Sequence, residues 1–143
     1  MFNATFFPPE YRGKYPHMFP KDIAVWERFL DEHGQLYEGF YYDVKVGRKA
    51  RVPKHWRPEY KKDAMVLSRL RIDAIGVTPG SYHLIEVKPK ATAAAIGQLL
   101  TYKHHFESDY SPERSVQPLL LAAEFDPNLY PLLAQNGIAY IKI

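Results

Sequence analysis

The chain has 143 residues and no cysteine, enough for one domain with a sizeable core and closed to disulfide frameworks and thiolate metal sites. Its 46% hydrophobic and 15% aromatic content excludes a disordered chain, and no segment reaches the apolar length of a membrane span. Net charge is only +3, yet seven Lys or Arg fall between Arg48 and Lys62 against the single acid Glu59, so the basic character is local.

Residues 1–19 are rich in aromatics and prolines without helical or strand period, and are expected to form an irregular arm ahead of a single domain over 20–143. The missing cysteines and the lack of a basic, apolar leader suggest a soluble protein of the cytoplasm, the host cytoplasm if phage-encoded. Lys21 to His33 reads as a helix, with Pro20 and Asp22 at its start, Gly34 at its end and Ile23, Trp26, Phe29 and Leu30 on one face. Gln35 to Val46, dense in Tyr and Phe, is a predicted strand closed by Gly47.

The stretch 47–69 is a predicted irregular basic loop, since Pro53 and Pro58 forbid continuous structure. Arg48, Lys49, Arg51, Lys54, Arg57, Lys61 and Lys62 suit phosphates, and Trp56 is a ring able to stack on a base. After a hairpin, Pro89 is expected to end the strand by removing a ladder donor. Thr92 can cap a helix to about Ser108 with Ile96, Leu99, Leu100, Lys103 and Phe106 on one side, where Gly97 would permit close approach to the sheet. Val116 to Phe125 reads as a strand buried on both faces, Asn128 to Gln135 as a short helix, and Ile138 to Ile143 as a closing strand. The order α-β-β-β-α-β-α-β predicts an α/β fold: a mixed sheet flanked by helices.

The hairpin carries the chemistry. Two apolar, β-branched runs, Arg71 to Thr78 and Ser81 to Lys88, flank Pro79-Gly80. With that pair as the loop, Thr78 faces Ser81, and the register carried down the strands sets Asp73 beside Glu86 on one face. Lys88, two residues on, shares that face. A longer symmetric loop keeps this pairing, whereas a one-residue bulge would turn Asp73 away. Adjacent carboxylates repel unless they share a proton or a cation. Oxygen ligands suit a hard ion such as magnesium, and a nearby ammonium can neutralise charge developing on a phosphate. The implied chemistry is metal-assisted phosphodiester hydrolysis. No Gly-rich phosphate loop or serine elbow appears, so no nucleotide cofactor is expected, and the six histidines show no ligand spacing.

Ile72-Asp73-Ala74, then Glu86-Val87-Lys88, then Gln98 and Tyr102 four apart on a helix resemble the PD-(D/E)XK nuclease superfamily in its RecB-like branch. The resemblance implies a restriction-endonuclease-like αβββαβ core over roughly 20–125. It implies a magnesium- or manganese-dependent DNA endonuclease with Asp73, Glu86 and the Val87 carbonyl as metal ligands. Lys88 would assist the nucleophilic water, Gln98 and Tyr102 would steady the site or touch the strand, and Glu27 is the candidate acid from the first helix. DNA is the implied partner, in a homodimer or a larger nucleoprotein or phage assembly, with phage, repair and transposition settings open. The competing expectation is a non-catalytic DNA-binding or assembly protein on the same fold, suggested by the aromatic arm.

Overall fold

The computed structural model describes residues 2–47, 54–60 and 70–143. One six-stranded sheet runs in sequence order: β1 Phe6–Phe7, β2 Gly39–Val46, β3 Leu70–Val77, β4 Ser81–Ala91, β5 Ser115–Phe125 and β6 Ala139–Lys142. The first four strands pair antiparallel, and β4–β5 and β5–β6 pair parallel. Helix α1, Pro20–His33, covers one face. Helix α2, Ala93–Tyr110, forms the β4–β5 crossover and covers the other, together with the short α3, Tyr130–Gln135. The result is a mixed sheet between helical layers, as the element order predicts.

Side-chain alternation sorts the core. Val25, Trp26, Phe29 and Leu30 of α1 pack with Phe40, Tyr42, Ala74, Ile85, Val87, Leu119 and Leu121. On the opposite face Ile96, Leu99, Tyr102 and Phe106 of α2 pack with Val44, Ile72, Ile75, Leu84, Leu120 and Ala122. Each fully buried Leu, Ile or Phe contributes about 1.5–3 kcal/mol before the entropy of ordering it. The Leu119-Leu120-Leu121 run is buried on both faces because β5 is central.

The structure departs from the sequence expectations in five places. The arm is not wholly irregular, because Phe6–Phe7 pairs with β2 and the sheet gains an edge strand. β2 begins at Gly39, not Gln35, since Gly34–Leu36 forms a 3-10 turn closed by the Tyr37 N–H on the Gly34 carbonyl at 3.1 Å. Pro89 does not end β4, which pairs with β5 as far as Ala91. The Val87 N–H points towards β3, so the Pro89 nitrogen, two residues on, faces the same side, beyond the last β3–β4 pair, where the ladder needs no donor. The buried stripe of α2 is Ala95, Ile96, Leu99, Tyr102 and Phe106, which leaves Leu100 38% exposed and brings Tyr102 onto the sheet. Gly97 gives no close approach: a Cβ there would meet nothing within 4 Å.

One irregularity spans two strands at the same level. Tyr42 and Ala74 belong to the α1 face, whereas Val44 and Ile72 belong to the α2 face. Regular alternation would keep each pair on one side. The slip falls at Asp43 and Asp73, which lie level between the pairs Tyr42↔Ala74 and Val44↔Ile72, and Asp43 takes φ +56°. No extra residue is inserted, so the register is unchanged across it.

Candidate active site

The hairpin register is the expected one. Ala74↔Ile85, Ile75↔Leu84, Gly76↔His83 and Val77↔Tyr82 pair, and the Thr78 N–H reaches the Ser81 carbonyl at 3.0 Å. The ladder ends at Ala74↔Ile85, one step before the two acids. In place of a backbone carbonyl, Asp73 Oδ2 accepts the Val87 N–H at 2.9 Å. A strand residue's N–H and C=O lie on the same side, so the Val87 carbonyl also faces the gap where β3 diverges.

Asp73 is 6% and Glu86 4% exposed. Burial, followed by the neighbouring Glu86 charge, raises the Asp73 carboxyl to about 8. Burial likewise raises Glu86, against the opposing pull of Lys88, whose Nζ lies 3.4 Å from Glu86 Oε1. Without a cation the pair therefore retains a proton near neutral pH. Tyr102, carried onto the sheet by α2, interacts through its hydroxyl with Glu86, and burial raises its own titration. At this site the buried Glu86 Oε2 has no hydrogen-bond partner, and on α2 the buried Gln98 Oε1 has none either. A buried acceptor left unpaired costs about 1–3 kcal/mol, so this arrangement asks for a donor or a cation.

That is the test for a metal. Two carboxylates, one with an orphaned oxygen, and a carbonyl facing the gap are hard oxygen donors of the kind magnesium takes alongside water and substrate phosphate. They fit. No cluster of three His, Cys, Asp or Glu side chains that could hold an ion occurs among the described residues. Glu27 is not brought to the acid pair: its Oε2 accepts from the Tyr15 hydroxyl at 2.8 Å, tying the arm to α1. Of the predicted DNA-binding residues, Arg48, Lys49, Arg51, Lys61 and Lys62 lie outside the described residues, while Lys54, Trp56 and Arg57 are exposed.

Sequence reading passed over Asp43 and His17. Asp43 accepts a fork from Arg71, Nε to Oδ1 at 2.7 Å and Nη2 to Oδ2 at 2.6 Å, with Lys45 at 3.6 Å. Burial alone would raise its titration, but Arg71 overrides this and holds it below the usual carboxylate range. An acid within Tyr41-Tyr42-Asp43-Val44 is the same kind of signal that singled out Asp73. His17 gave none. It is an exposed arm residue with φ +71°, near enough to Asp73 and Asp43 to favour their charged forms.

No protein-family model and no curated protein matches the chain in sequence. Solved structures do match in shape. A repair endonuclease from Pyrococcus abyssi aligns with a TM-score of 0.50 and 18% identity, over 94% of this chain and 48% of its own. EndoMS in complex with double-stranded DNA aligns with a TM-score of 0.51 and 17% identity, over 92% of this chain and 48% of its own. The chain thus spans about half the length of the structures it matches, and over that span it has the restriction-endonuclease-like α/β fold.

Proposed function

We propose that the chain is a metal-dependent DNA nuclease of the RecB-like branch that hydrolyses phosphodiester bonds endonucleolytically. One observation carries the reading: two buried carboxylates that hold a proton between them and the Lys88 ammonium meet where β3 and β4 diverge, with Glu86 Oε2 unpartnered. Such a site stores electrostatic cost that a bound cation relieves. The Gln98 and Tyr102 pattern supports the branch, since Tyr102 bears on Glu86 and Gln98 keeps a buried, unpartnered oxygen on the same helix.

Asp73, Glu86 and the Val87 carbonyl would hold magnesium or manganese, which when bound supplies Lewis acidity and an activated water. The remaining work belongs to the chain. Lys88 favours the ionised form of Glu86 against the effect of burial and offers its ammonium to charge developing on the phosphate. The Tyr102 hydroxyl bears on Glu86, and the Val87 N–H fixes the orientation of Asp73. The exposed Lys54, Trp56 and Arg57, with the rest of the basic segment from Arg48 to Lys62, would follow the strand. A homodimer or larger nucleoprotein assembly would supply targeting.

Supercoiled plasmid tests the reading. Nicked or linear product with magnesium or manganese, lost with chelator and in Lys88→Ala, supports it. Intact plasmid across these metals with DNA still shifted in a gel leaves only a DNA-binding protein on a nuclease fold.

A further inference from the structure

The arm before α1 is pinned at two points and strained between them. Tyr15 is buried with its hydroxyl on Glu27 Oε2 at 2.8 Å, and Met18 is buried in the same apolar cluster as Trp26 and Phe29. The Met18 N–H closes the turn on the Tyr15 carbonyl at 3.2 Å. Between these anchors His17 takes φ +71°, a left-handed conformation that costs any residue with a Cβ. Strain of this kind persists only where the surroundings over-determine it.

The strained turn holds two side chains out. His17 is exposed, and Phe19, 74% exposed, is the most exposed large apolar side chain among the described residues. Phe19 is also rigid. Its N–H donates to Asp22 Oδ2 at 2.9 Å, its carbonyl accepts the Ile23 N–H at 3.0 Å, and Pro20 follows it into α1. The ring thus protrudes from a fixed backbone, and most of its surface is open to contact, so little backbone entropy is left to lose.

The base of the tip borders Asp43, one strand from Asp73. Lys14 and Pro16 line a cavity of about 280 Å³ together with Asp43 and Lys45, and Asp43 is level with Asp73 across β2 and β3. His17 follows Pro16 directly and acts electrostatically on both aspartates. The arm packs with the α1 cluster, so this approach differs from the one flanked by Tyr102 on α2.

We propose that His17 and Phe19 form a tip that reads DNA structure. His17 donates a ring N–H to a backbone phosphate near the acid pair, and Phe19 stacks on an unpaired base. A base inside a duplex has both faces covered by its neighbours, whereas an unpaired base offers a free face to a ring. The substrate class is therefore DNA with unpaired nucleotides beside the scissile phosphate. This inference rests on the DNA-nuclease reading above for its substrate.

Binding is measured with chelator present, so that hydrolysis plays no part. The probes are a fluorescent duplex with a short unpaired tract carrying 2-aminopurine and a fully paired duplex of the same sequence. Wild type is expected to favour the unpaired probe about tenfold and to quench its 2-aminopurine. Phe19→Ala loses both the preference and the quench while binding the paired duplex as before, and Phe19→Trp keeps both. His17→Gly, which relieves the backbone strain, weakens both probes severalfold with no fall in Tm. Equal wild-type affinity for the two probes, or a preference and quench intact in Phe19→Ala, overturns the inference and leaves the ring to a protein partner. Plasmid cleavage without the preference sinks the inference alone; the preference without cleavage in any divalent metal sinks the nuclease reading alone.

Discussion

Asp43 and Asp73 stand level on neighbouring strands, yet their surroundings drive them in opposite directions. Asp43 is gripped by the Arg71 guanidinium and stays ionised. Asp73 has a backbone N–H and a second carboxylate for company, and burial with that neighbour raises it to about 8. The first fastens β2 to β3 at the point where both change face. The second is left with a charge it cannot keep in the low-dielectric interior without help.

Removing the fastening costs stability. Arg71→Ala leaves a carboxylate whose side chain is only 10% exposed without its forked partner. The unfolding free energy is expected to fall by about 2–3 kcal/mol. Asp43→Asn, which tolerates the left-handed backbone and carries no charge to strand, loses less. Urea unfolding checks both: a lower midpoint at unchanged slope marks lost stability, while an unchanged midpoint in Arg71→Ala contradicts the assignment.

The acid pair sets the pH dependence of the metal-free protein. Asp73 keeps its proton in the folded state up to about 8, whereas the unfolded chain ionises near 4. The folded state thus binds the extra proton. Its stabilisation is complete below pH 4, declines as pH rises and is gone above about 8, amounting to at most about 5 kcal/mol. Glu86, also raised by burial, acts in the same direction. Asp43 acts in reverse, its stabilisation present above the ordinary carboxylate range and lost on acidification. Thermal unfolding in chelator is expected to show Tm falling between pH 5 and 8, and Asp73→Asn flattening that fall with a higher Tm at pH 8. A flat wild-type profile refutes it.

The hairpin was legible because its signal is local. The Pro79-Gly80 loop fixes the register, and charges within β-branched runs mark Asp73, Glu86 and Lys88 whatever the rest of the chain does. The Leu119-Leu120-Leu121 run declared a doubly buried strand for the same reason. What escaped depends on tertiary arrangement. Pro89 stays within β4 because β3 has already diverged. Tyr102 rather than Leu100 faces the sheet because the α2 stripe centres on Leu99 and Phe106. Asp43 carried a signal of its own, but its partner Arg71 lies 28 positions away. His17 carried none, since an exposed arm residue gains meaning only from where the arm docks.

Gly97 gives a stabilisation test. It lies in the interior of α2, without a left-handed φ, and a methyl added there would have nothing within 4 Å. Gly97→Ala is expected to raise stability by about 0.5–1 kcal/mol through helix propensity alone. A rise in Tm checks this; a fall would mean that α2 packs more tightly there than its surface shows.

Metal binding separates the roles of the acids from that of the lysine. Glu86 carries the orphaned Oε2, so Glu86→Gln is expected to weaken magnesium or manganese binding by at least about tenfold, or 1.4 kcal/mol, in calorimetric titration. Lys88 is a cation 3.4 Å from Glu86 and opposes an incoming ion, so Lys88→Ala is expected to keep metal affinity or tighten it while losing about 10²–10³ in cleavage rate. Affinity in the wild type should rise between pH 6 and 8, because binding must expel the proton the pair holds. The heat measured in buffers of different ionisation enthalpy reports that released proton directly. Titrations with no heat in the wild type, or identical affinities in Glu86→Gln, would remove the metal from the site and with it the hydrolysis.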